Sequence, residues 1–173
     1  MSDRIFSWKD HVPSTFSSVL FISQIVIGMY LLSEVSQIEV LAYFGVCLYA
    51  FSGIFLGLLP VFEFRKKGGV QKGLSYIHTT KLVDSGIYSV VRHPQYVTFM
   101  MWAISGMLLF QNWMVILLGV PIFPLTYIDL IRADKACLVR FGDNYKTYME
   151  KVPRANFLLG IIRRLRKRKK EVS

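Results

Sequence analysis

A cation, an imidazole and a phenol lie close together in the segment "GIYSVVRHPQYVTF", just before a long uncharged stretch of the chain. His93 precedes Pro94, which biases His93 away from helical dihedrals, whereas the fixed φ of Pro94 suits the first turn of a helix. We therefore expect His93 at the N-cap of a helix whose positive dipole end lies beside Arg92, with Tyr96 one turn inside. Such a helix end can hold a carboxylate or a phosphate. Taken separately, Arg92 also fits an interfacial anchor and His93 a simple helix cap.

A second polar segment, "DLIRADKACLVRFGDNYKTYMEKVPR", follows the uncharged stretch. Its pattern predicts a helix that continues to Arg140, a break at Gly142 and then a second helix. The second helix carries Tyr145 and Tyr148, which we expect to be packing residues.

The elements that position these residues are apolar enough to lie in a membrane. The chain is 53% hydrophobic, and a helix needs about 20 largely apolar residues to cross a bilayer. The uncharged stretch 94–128 is too long for one crossing, and the polar pair Gln111 and Asn112 interrupts it. We therefore predict an all-α integral membrane protein that forms a single membrane domain over 1–173. Its four transmembrane helices, the last two a short hairpin, are predicted at 14–32, 40–62, 95–110 and 113–128.

The charges outside those helices predict the orientation of the chain. The loop between the first two helices carries glutamates and neither lysine nor arginine, whereas the segment 63–94 and the part after residue 128 are basic. Lysine and arginine are enriched in cytoplasmic loops, so we expect both termini to be cytoplasmic. The segments 63–94 and 129–156 would then flank the hairpin on the cytoplasmic side.

The net charge of +10 comes largely from the C-terminal tail, 157–173. Its stretch 163–170, "RRLRKRKK", holds seven basic residues and follows the apolar "FLLGII". Beside a membrane such a segment attracts anionic lipid head groups, which we favour over nucleic acid as its partner. The three histidines lack the spacing typical of metal ligands, so we predict no metal site.

Several short motifs, taken in order, resemble a known family. The segments "KLVDSGIYSVVRHPQY" and "LVRFGDNYKTYMEKVPR" contain Leu-Val, Gly-x-Tyr, Arg-His-Pro-x-Tyr and Phe-Gly-x-x-Tyr-x-x-Tyr, with the uncharged hairpin between them. Over residues 78–154 the chain is similar to the integral-membrane methyltransferases, which include the isoprenylcysteine carboxyl methyltransferases and the related phospholipid methyltransferases. The resemblance implies S-adenosylmethionine as the cofactor and a lipidic or prenylated acceptor in the membrane.

The resemblance also implies a cofactor site at the cytoplasmic membrane face, formed by the segments 63–94 and 129–156. It assigns the adenosine pocket to Leu82 and Val83, with Tyr88 in the wall of that pocket. The residues that it assigns to the methionine moiety are His93, Pro94, Gln95 and Tyr96.

One departure from the family pattern concerns the acidic residues before the Phe-Gly pair. The family has Glu-Glu where this chain has Ala133 and Asp134. The carboxylate of Asp134 could replace the family's glutamate, which holds the amino group of the cofactor. We therefore expect His93 and Asp134 to contact opposite ends of the methionine moiety.

The candidate catalytic residues are Arg92 and Arg132. The family's substrate-side arginine falls near Asp129 in this chain, and Arg132 is the nearest basic residue. The same segment also resembles membrane sterol reductases, which use NADPH, so a reductase stays an alternative, as does a non-catalytic membrane protein. The sequence leaves open the oligomeric state and whether the acceptor is a carboxylate, an amine, a thiol or a hydroxyl.

Overall fold

The computed structural model describes residues 12–32, 37–69 and 79–172. Within these ranges every regular element is helical, so the prediction of an all-α protein is confirmed. The α-helices are α1 (Val12–Tyr30), α2 (Glu39–Ser52), α3 (Leu59–Lys67), α4 (Pro94–Phe110), α5 (Trp113–Gly119), α6 (Ile122–Phe141), α7 (Asp143–Lys151) and α8 (Phe157–Val172).

Three helical stretches of the described chain are long and apolar enough to cross a membrane. They are α1, the stretch Glu39–Lys67 that includes α2 and α3, and the stretch Trp113–Phe141 that includes α5 and α6. Helix α4 is also apolar but has only 17 residues. These helices make the chain an integral membrane protein, whereas the count of four crossings, the cytoplasmic side of the loops and the orientation of the termini stay predictions.

A π-helix, Gly53–Leu58, joins α2 to α3 without ending the helical stretch. Pro60 follows at the start of α3. Proline has no backbone N–H to donate to the preceding turn, and its ring displaces the carbonyl four residues earlier. A locally widened turn accommodates that missing hydrogen bond, so the stretch continues to Lys67.

The turn after α4 interrupts the long uncharged stretch at Gln111 and Asn112. Gln111 has a positive φ of 48°, and the side chain of Asn112 caps α5 by accepting a hydrogen bond from the Met114 amide at 2.8 Å. The Gln111 side-chain amide makes two hydrogen bonds with the backbone of Ile38, each 2.9 Å long. The polar pair therefore turns the chain between two apolar helices and is itself hydrogen-bonded.

The chain divides into two compact units. The first unit runs to Gly53 and includes Thr98–Asp134, and the second consists of Ile54–Val97 and Lys135–Ser173. In the first unit the fully buried Gln24 of α1 donates hydrogen bonds to the carbonyls of Ala103, at 3.0 Å, and Val115, at 3.3 Å. The formation of a single membrane domain stays a prediction.

Candidate functional site

The segment 79–93 belongs to the second unit and is attached to α3. The amides of Thr80 and Lys81 donate to the carbonyl of Gly68, just after α3, at 2.8 and 3.1 Å. Further along, the Glu63 carboxylate accepts a hydrogen bond from the Ile87 amide at 3.2 Å. One short helix thus fixes an irregular stretch of backbone at two places.

The backbone conformation explains why the Gly-x-Tyr motif begins with glycine. Gly86 opens a single 3₁₀ turn, Gly86–Ser89, with a positive φ of 63°. That conformation strains any residue with a Cβ, and a Cβ here would also collide with the Glu63 carboxylate. Gly86 therefore allows the turn to approach α3 closely.

Two tyrosines of α7 connect the separate motifs. Gly142, with a φ of 56°, ends α6 where the sequence predicts the break, and α7 follows directly. The Tyr148 hydroxyl donates to the carbonyl of Tyr88 at 2.6 Å, and the Tyr145 hydroxyl lies 3.4 Å from Nε2 of His93. Both phenols are buried, as expected of packing residues, and they also contact the Gly-x-Tyr and Arg-His-Pro segments. Their spacing of three residues on one helix face is the sequence signal that could have indicated a shared role.

His93 occupies the predicted position before the first turn of α4. Its carbonyl accepts a hydrogen bond from the Val97 amide at 3.3 Å, which is the bond expected of an N-cap residue. The amides of Arg92 and His93 donate to the carbonyls of Pro153 and Arg154, at 3.1 and 3.3 Å. The start of α4 is thereby fixed to the Val-Pro-Arg segment that follows α7.

The other residues assigned to the methionine moiety surround the same helix start. Pro94 is buried, whereas Gln95 and Tyr96 are half-buried. The rings of His93 and Tyr96 lie 5.9 Å apart in an edge-to-face arrangement. The structure therefore brings these four predicted residues together at one end of α4.

The three residues assigned to the adenosine pocket differ in exposure. Val83 and Tyr88 are 4% and 3% exposed, and the Tyr88 ring packs 4.5 Å from that of Phe64. Leu82 is half-buried and packs against the cluster of Tyr145, Tyr148 and Val152. Of the three side chains, that of Leu82 is the most exposed to solvent.

The candidate catalytic residues lie in different units. Arg92 of the second unit is 8% exposed, and a buried guanidinium requires hydrogen-bonded or charged neighbours. The guanidinium of Arg92 is therefore enclosed by protein, and its role in a site stays a prediction. Arg132 belongs to the first unit, where its guanidinium lies 3.9 Å from the carboxylate of Asp129, one turn earlier in α6.

Asp134 also lies in α6, as the last residue of the first unit, and is 2% exposed. Asp129 is similarly buried, at 6%. Ionisable side chains buried in a membrane helix are costly and usually serve a function. The role predicted for Asp134 at the cofactor's amino group stays a prediction.

An open cavity of about 1210 Å³ lies within the second unit, between the segment 80–89, the end of α6, α7 and the middle of α8. Leu82 contributes to its wall, together with Phe141 and Tyr148. The charged residues of the wall comprise one carboxylate, that of Asp84, and five cations, those of Lys81, Arg140, Lys151, Arg163 and Arg164.

The sequence predicted contact of the basic tail with the bilayer surface but not its contact with this cavity. The Arg164 guanidinium donates to the carbonyl of Gly86 at 3.1 Å, so the tail is joined to the Gly-x-Tyr motif. The only sequence signal is Gly160, one turn earlier, where a side chain would collide with the backbone of Val90.

The first turn of α7 carries an ion pair that shifts the pKa values of both its members. Lys146 lies 2.8 Å from the Asp143 carboxylate, and its hydrogen bond and positive charge lower the pKa of Asp143. The same contact raises the pKa of Lys146. Both groups are fully exposed to solvent, so the pair supports the helix end that carries Tyr145 and is not itself a reactive group.

Comparison with known proteins extends this picture. Residues 71–149 match the family model described as the isoprenylcysteine carboxyl methyltransferase family. A protein-S-isoprenylcysteine O-methyltransferase of Schizosaccharomyces pombe is 36% identical over 108 residues, which are 57% of this chain and 46% of that protein. The enzymes of the same name from Xenopus laevis and Saccharomyces cerevisiae are 37% and 33% identical, over 49% and 46% of this chain and 29% and 37% of their own lengths.

The chain thus matches less than half the length of each of these relatives. No solved structure matches it. The matched residues contain all four motifs, from Leu82 to Tyr148, that the structure assembles around the start of α4 and along α7. The resemblance inferred from those motifs is therefore confirmed: over residues 71–149 this chain is like the isoprenylcysteine carboxyl methyltransferase family.

Proposed function

We propose that this chain is an S-adenosylmethionine-dependent methyltransferase whose acceptor is a lipidic or prenylated molecule in the membrane. The carboxylate of a prenylated cysteine is the first acceptor to test, because the relatives are named S-isoprenylcysteine O-methyltransferases. The same names favour methyl transfer over reduction with NADPH. The observation that carries the proposal is the 3.4 Å contact between Tyr145 and the His93 ring, which joins two of the family's motifs.

The start of α4 fits the methionine carboxylate of the cofactor. His93 lies at the positive end of a 17-residue helix, and both the helix dipole and first-turn amides favour an anion there. Tyr145 and the backbone of Arg154 hold His93 from the protein side. Gln95 and Tyr96 would complete the walls around the methionine moiety.

The charge of the large cavity supports the same assignment. Its excess of cations disfavours binding of the sulfonium and ammonium groups, which supports our placing the methionine moiety at the start of α4 rather than among those cations. The adenosine moiety is neutral and would contact Leu82. Val83 and Tyr88 would support that wall from the core, consistent with their burial.

Two further roles follow from the resemblance. The buried carboxylate of Asp134 would hold the ammonium of the cofactor. Arg92 and Arg132 would hold the acceptor, and a guanidinium is suited to a carboxylate because it forms two parallel hydrogen bonds.

Methyl transfer from this cofactor requires no covalent catalysis by the protein. Bound S-adenosylmethionine would supply a methyl group activated by its sulfonium. The acceptor carboxylate would form an O–CH3 bond as the S–CH3 bond breaks, S-adenosylhomocysteine would be the leaving group, and this step requires no metal. The tasks of this chain are to orient the acceptor about 3 to 3.5 Å from that carbon and to exclude water. Arginine side chains would fix the acceptor oxygen, and the start of α4 would fix the cofactor.

Calorimetric titration of the detergent-purified chain with S-adenosylhomocysteine and with NADPH tests the cofactor. We expect binding of the first ligand and none of the second. Tyr43→Phe is the matched control, because Tyr43 is an exposed residue of α2 and its variant should bind like the parent. Binding of NADPH alone would select the reductase, and binding of neither ligand would contradict an enzymatic role.

Transfer of a radiolabelled methyl group tests the acceptor. An S-farnesylated N-acylcysteine should become labelled, and mild base should release the label as methanol because the product is an ester. The same compound with a carboxamide in place of its carboxylate is the control and should stay unlabelled. Base-stable labelling of a lipid amine would move the proposal to the phospholipid methyltransferases.

A further inference from the structure

Helix α8 presents two faces with different surroundings. One face carries Gly160 and Arg164, one turn apart. Gly160 is buried against the carbonyl of Val90, and Arg164 donates to the carbonyl of Gly86. This face is therefore packed against the 3₁₀ turn that precedes the Arg-His-Pro motif.

A second face of α8 carries an apolar stripe, which we define as Leu158, Ile161, Ile162 and Leu165. Leu158 is followed three and four residues later by Ile161 and Ile162, and Leu165 follows these by four and three residues, so all four lie on one face of the helix. They are 61%, 40%, 46% and 61% exposed. A patch of large apolar side chains that are this exposed in the folded chain indicates a surface that contacts an apolar environment.

The charges around the apolar stripe indicate which environment that is. The stretch 163–170 holds seven basic residues, and the described side chains of Arg163, Arg166 and Lys169 are exposed. An amphipathic helix with a basic polar face lies in the plane of a membrane surface and prefers anionic lipids. A protein partner would not require this excess of one charge.

The position of α8 along the chain agrees with that environment. The carbonyls of Pro153 and Arg154 accept hydrogen bonds from the amides of Arg92 and His93, directly before the apolar helix α4. Helix α8 therefore starts within a few residues of the point at which the chain passes from a polar segment into an apolar helix. The head-group region of the bilayer is expected at that level.

We propose that α8 is a membrane-surface helix that binds anionic lipid through its apolar stripe and holds the turn Gly86–Ser89 in place through its opposite face. Contact with the bilayer and order in the Arg-His-Pro segment then depend on the same helix. The proposal does not rest on methyl transfer, and its readouts use no cofactor.

Spin labels in nanodiscs test the lipid contact in the full chain. The labels are attached through Leu165→Cys in the apolar stripe, Val46→Cys at an exposed position of the apolar helix α2 and Asp143→Cys on α7, after Cys47→Ala and Cys137→Ala remove both native thiols. In discs that contain phosphatidylserine, the Leu165 label should match the Val46 label in collision with oxygen and be shielded from a water-soluble nickel reagent. In discs of phosphatidylcholine it should shift toward the Asp143 label.

Two results would overturn the lipid contact. One is a Leu165 label that behaves like the Asp143 label in both lipids. The other is dipolar broadening that disappears on dilution with unlabelled protein, since that would show a second copy of the chain on the apolar stripe. Arg166→Gln with Lys169→Gln should reduce the difference between the two lipids.

Hydrogen exchange tests whether α8 holds the turn. Gly160→Val places a side chain against the Val90 carbonyl, so the amides of Ile87, Val90 and Val91 should exchange roughly tenfold faster, the scale of losing one or two hydrogen bonds. Leu159→Met, one residue earlier in α8 and outside the apolar stripe, is the matched control and should leave that exchange unchanged. If Gly160→Val does not fold, Arg164→Gln removes the bond to Gly86 more gently. Parent-like exchange in the folded variants would overturn the coupling.

Discussion

The two compact units are held together by different kinds of contact. In the first unit regular helices pack through polar side chains that donate to carbonyls of a neighbouring helix, as the buried Gln24 and Thr98 and the half-buried Trp102 do. In the second unit an irregular segment, 79–93, depends on single hydrogen bonds with other elements. It accepts bonds from α7 and α8, and it donates bonds to α3 and to the residues after α7. A regular helix keeps most of its hydrogen bonds when one side chain is lost, whereas an irregular segment does not. We therefore expect single substitutions to have larger effects in the second unit.

The largest effect is expected at His93. His93→Ala removes a hydrogen bond to a charged ligand group, which costs about 1.5 to 3 kcal/mol. S-adenosylhomocysteine should therefore bind roughly ten- to hundred-fold more weakly, while the variant stays folded and monodisperse in detergent. Calorimetric titration measures the change. If His93→Ala binds S-adenosylhomocysteine as tightly as the parent, the start of α4 is not part of the cofactor site.

Asp134 is a residue of the first unit whose substitution could have an effect as large as one in the second unit. If its buried carboxylate holds the ammonium of the cofactor, Asp134→Asn should also weaken binding by roughly ten- to hundred-fold. Asp134→Glu keeps the charge and restores the family's longer side chain, so it should bind at least as well as the parent. Normal binding by Asp134→Asn would transfer the role to another carboxylate, with Asp129 the first candidate.

A smaller effect is expected at Tyr148. Tyr148→Phe removes the 2.6 Å hydrogen bond to the Tyr88 carbonyl and leaves a buried acceptor without that donor. The free energy of unfolding should fall by about 1 to 3 kcal/mol. Tyr145→Phe is the matched comparison, because its 3.4 Å contact is longer and should cost less. Denaturant titration in detergent gives both values, and equal losses would contradict the ranking of the two contacts.

The first unit should respond less to the loss of a comparable polar side chain. Gln24→Leu removes two hydrogen bonds to neighbouring helices while keeping the side-chain volume nearly constant. Polar contacts between membrane helices average about 0.6 kcal/mol each, so we expect a loss near 1 kcal/mol. Val26→Leu, on the exposed side of α1, serves as the control. A loss above that of Tyr148→Phe would overturn the comparison of the two units.

The smallest effect is expected at Asp143. Because the bond to Lys146 lowers the pKa of Asp143, its stabilising contribution is present above the unfolded value of 3.8 and is lost as the pH falls through the lower folded value. Asp143→Asn should therefore be slightly less stable than the parent at neutral pH. The difference should disappear in more acidic solution, and thermal unfolding between neutral pH and pH 3 measures it. If the stability difference between Asp143→Asn and the parent persists at pH 3, the bond between Asp143 and Lys146 is not its cause.

Local chemistry made much of the fold predictable. The polar pair Gln111 and Asn112 interrupts an apolar stretch, and Gly142 ends α6, since each feature acts within one or two residues of itself. The position of His93 before α4 followed from the restriction that Pro94 imposes on its neighbour. Sequence periodicity did not reveal the π-helix Gly53–Leu58, because the pattern of a regular helix continues through it.

The contacts of the candidate site could not be predicted in the same way. Tyr145 and His93 are 52 residues apart, Tyr148 and Tyr88 are 60 apart, and Arg164 and Gly86 are 78 apart. Each depends on the path of the chain between its partners, which no local preference determines. The motif order indicated which residues matter, but not that α7 and α8 hold the Gly-x-Tyr turn from two sides.

The pairing of Arg92 and His93 with Pro153 and Arg154 has a consequence for biosynthesis. On the ribosome, the segment that contains His93 emerges well before the residues whose carbonyls it needs. The apolar helices between them can insert into the membrane as they are made, whereas the start of α4 acquires its final backbone partners only after residue 154 has left the exit tunnel. The start of α4, where we propose that the cofactor binds, thus acquires these backbone partners late in synthesis, and a chain terminated before Pro153 would lack them.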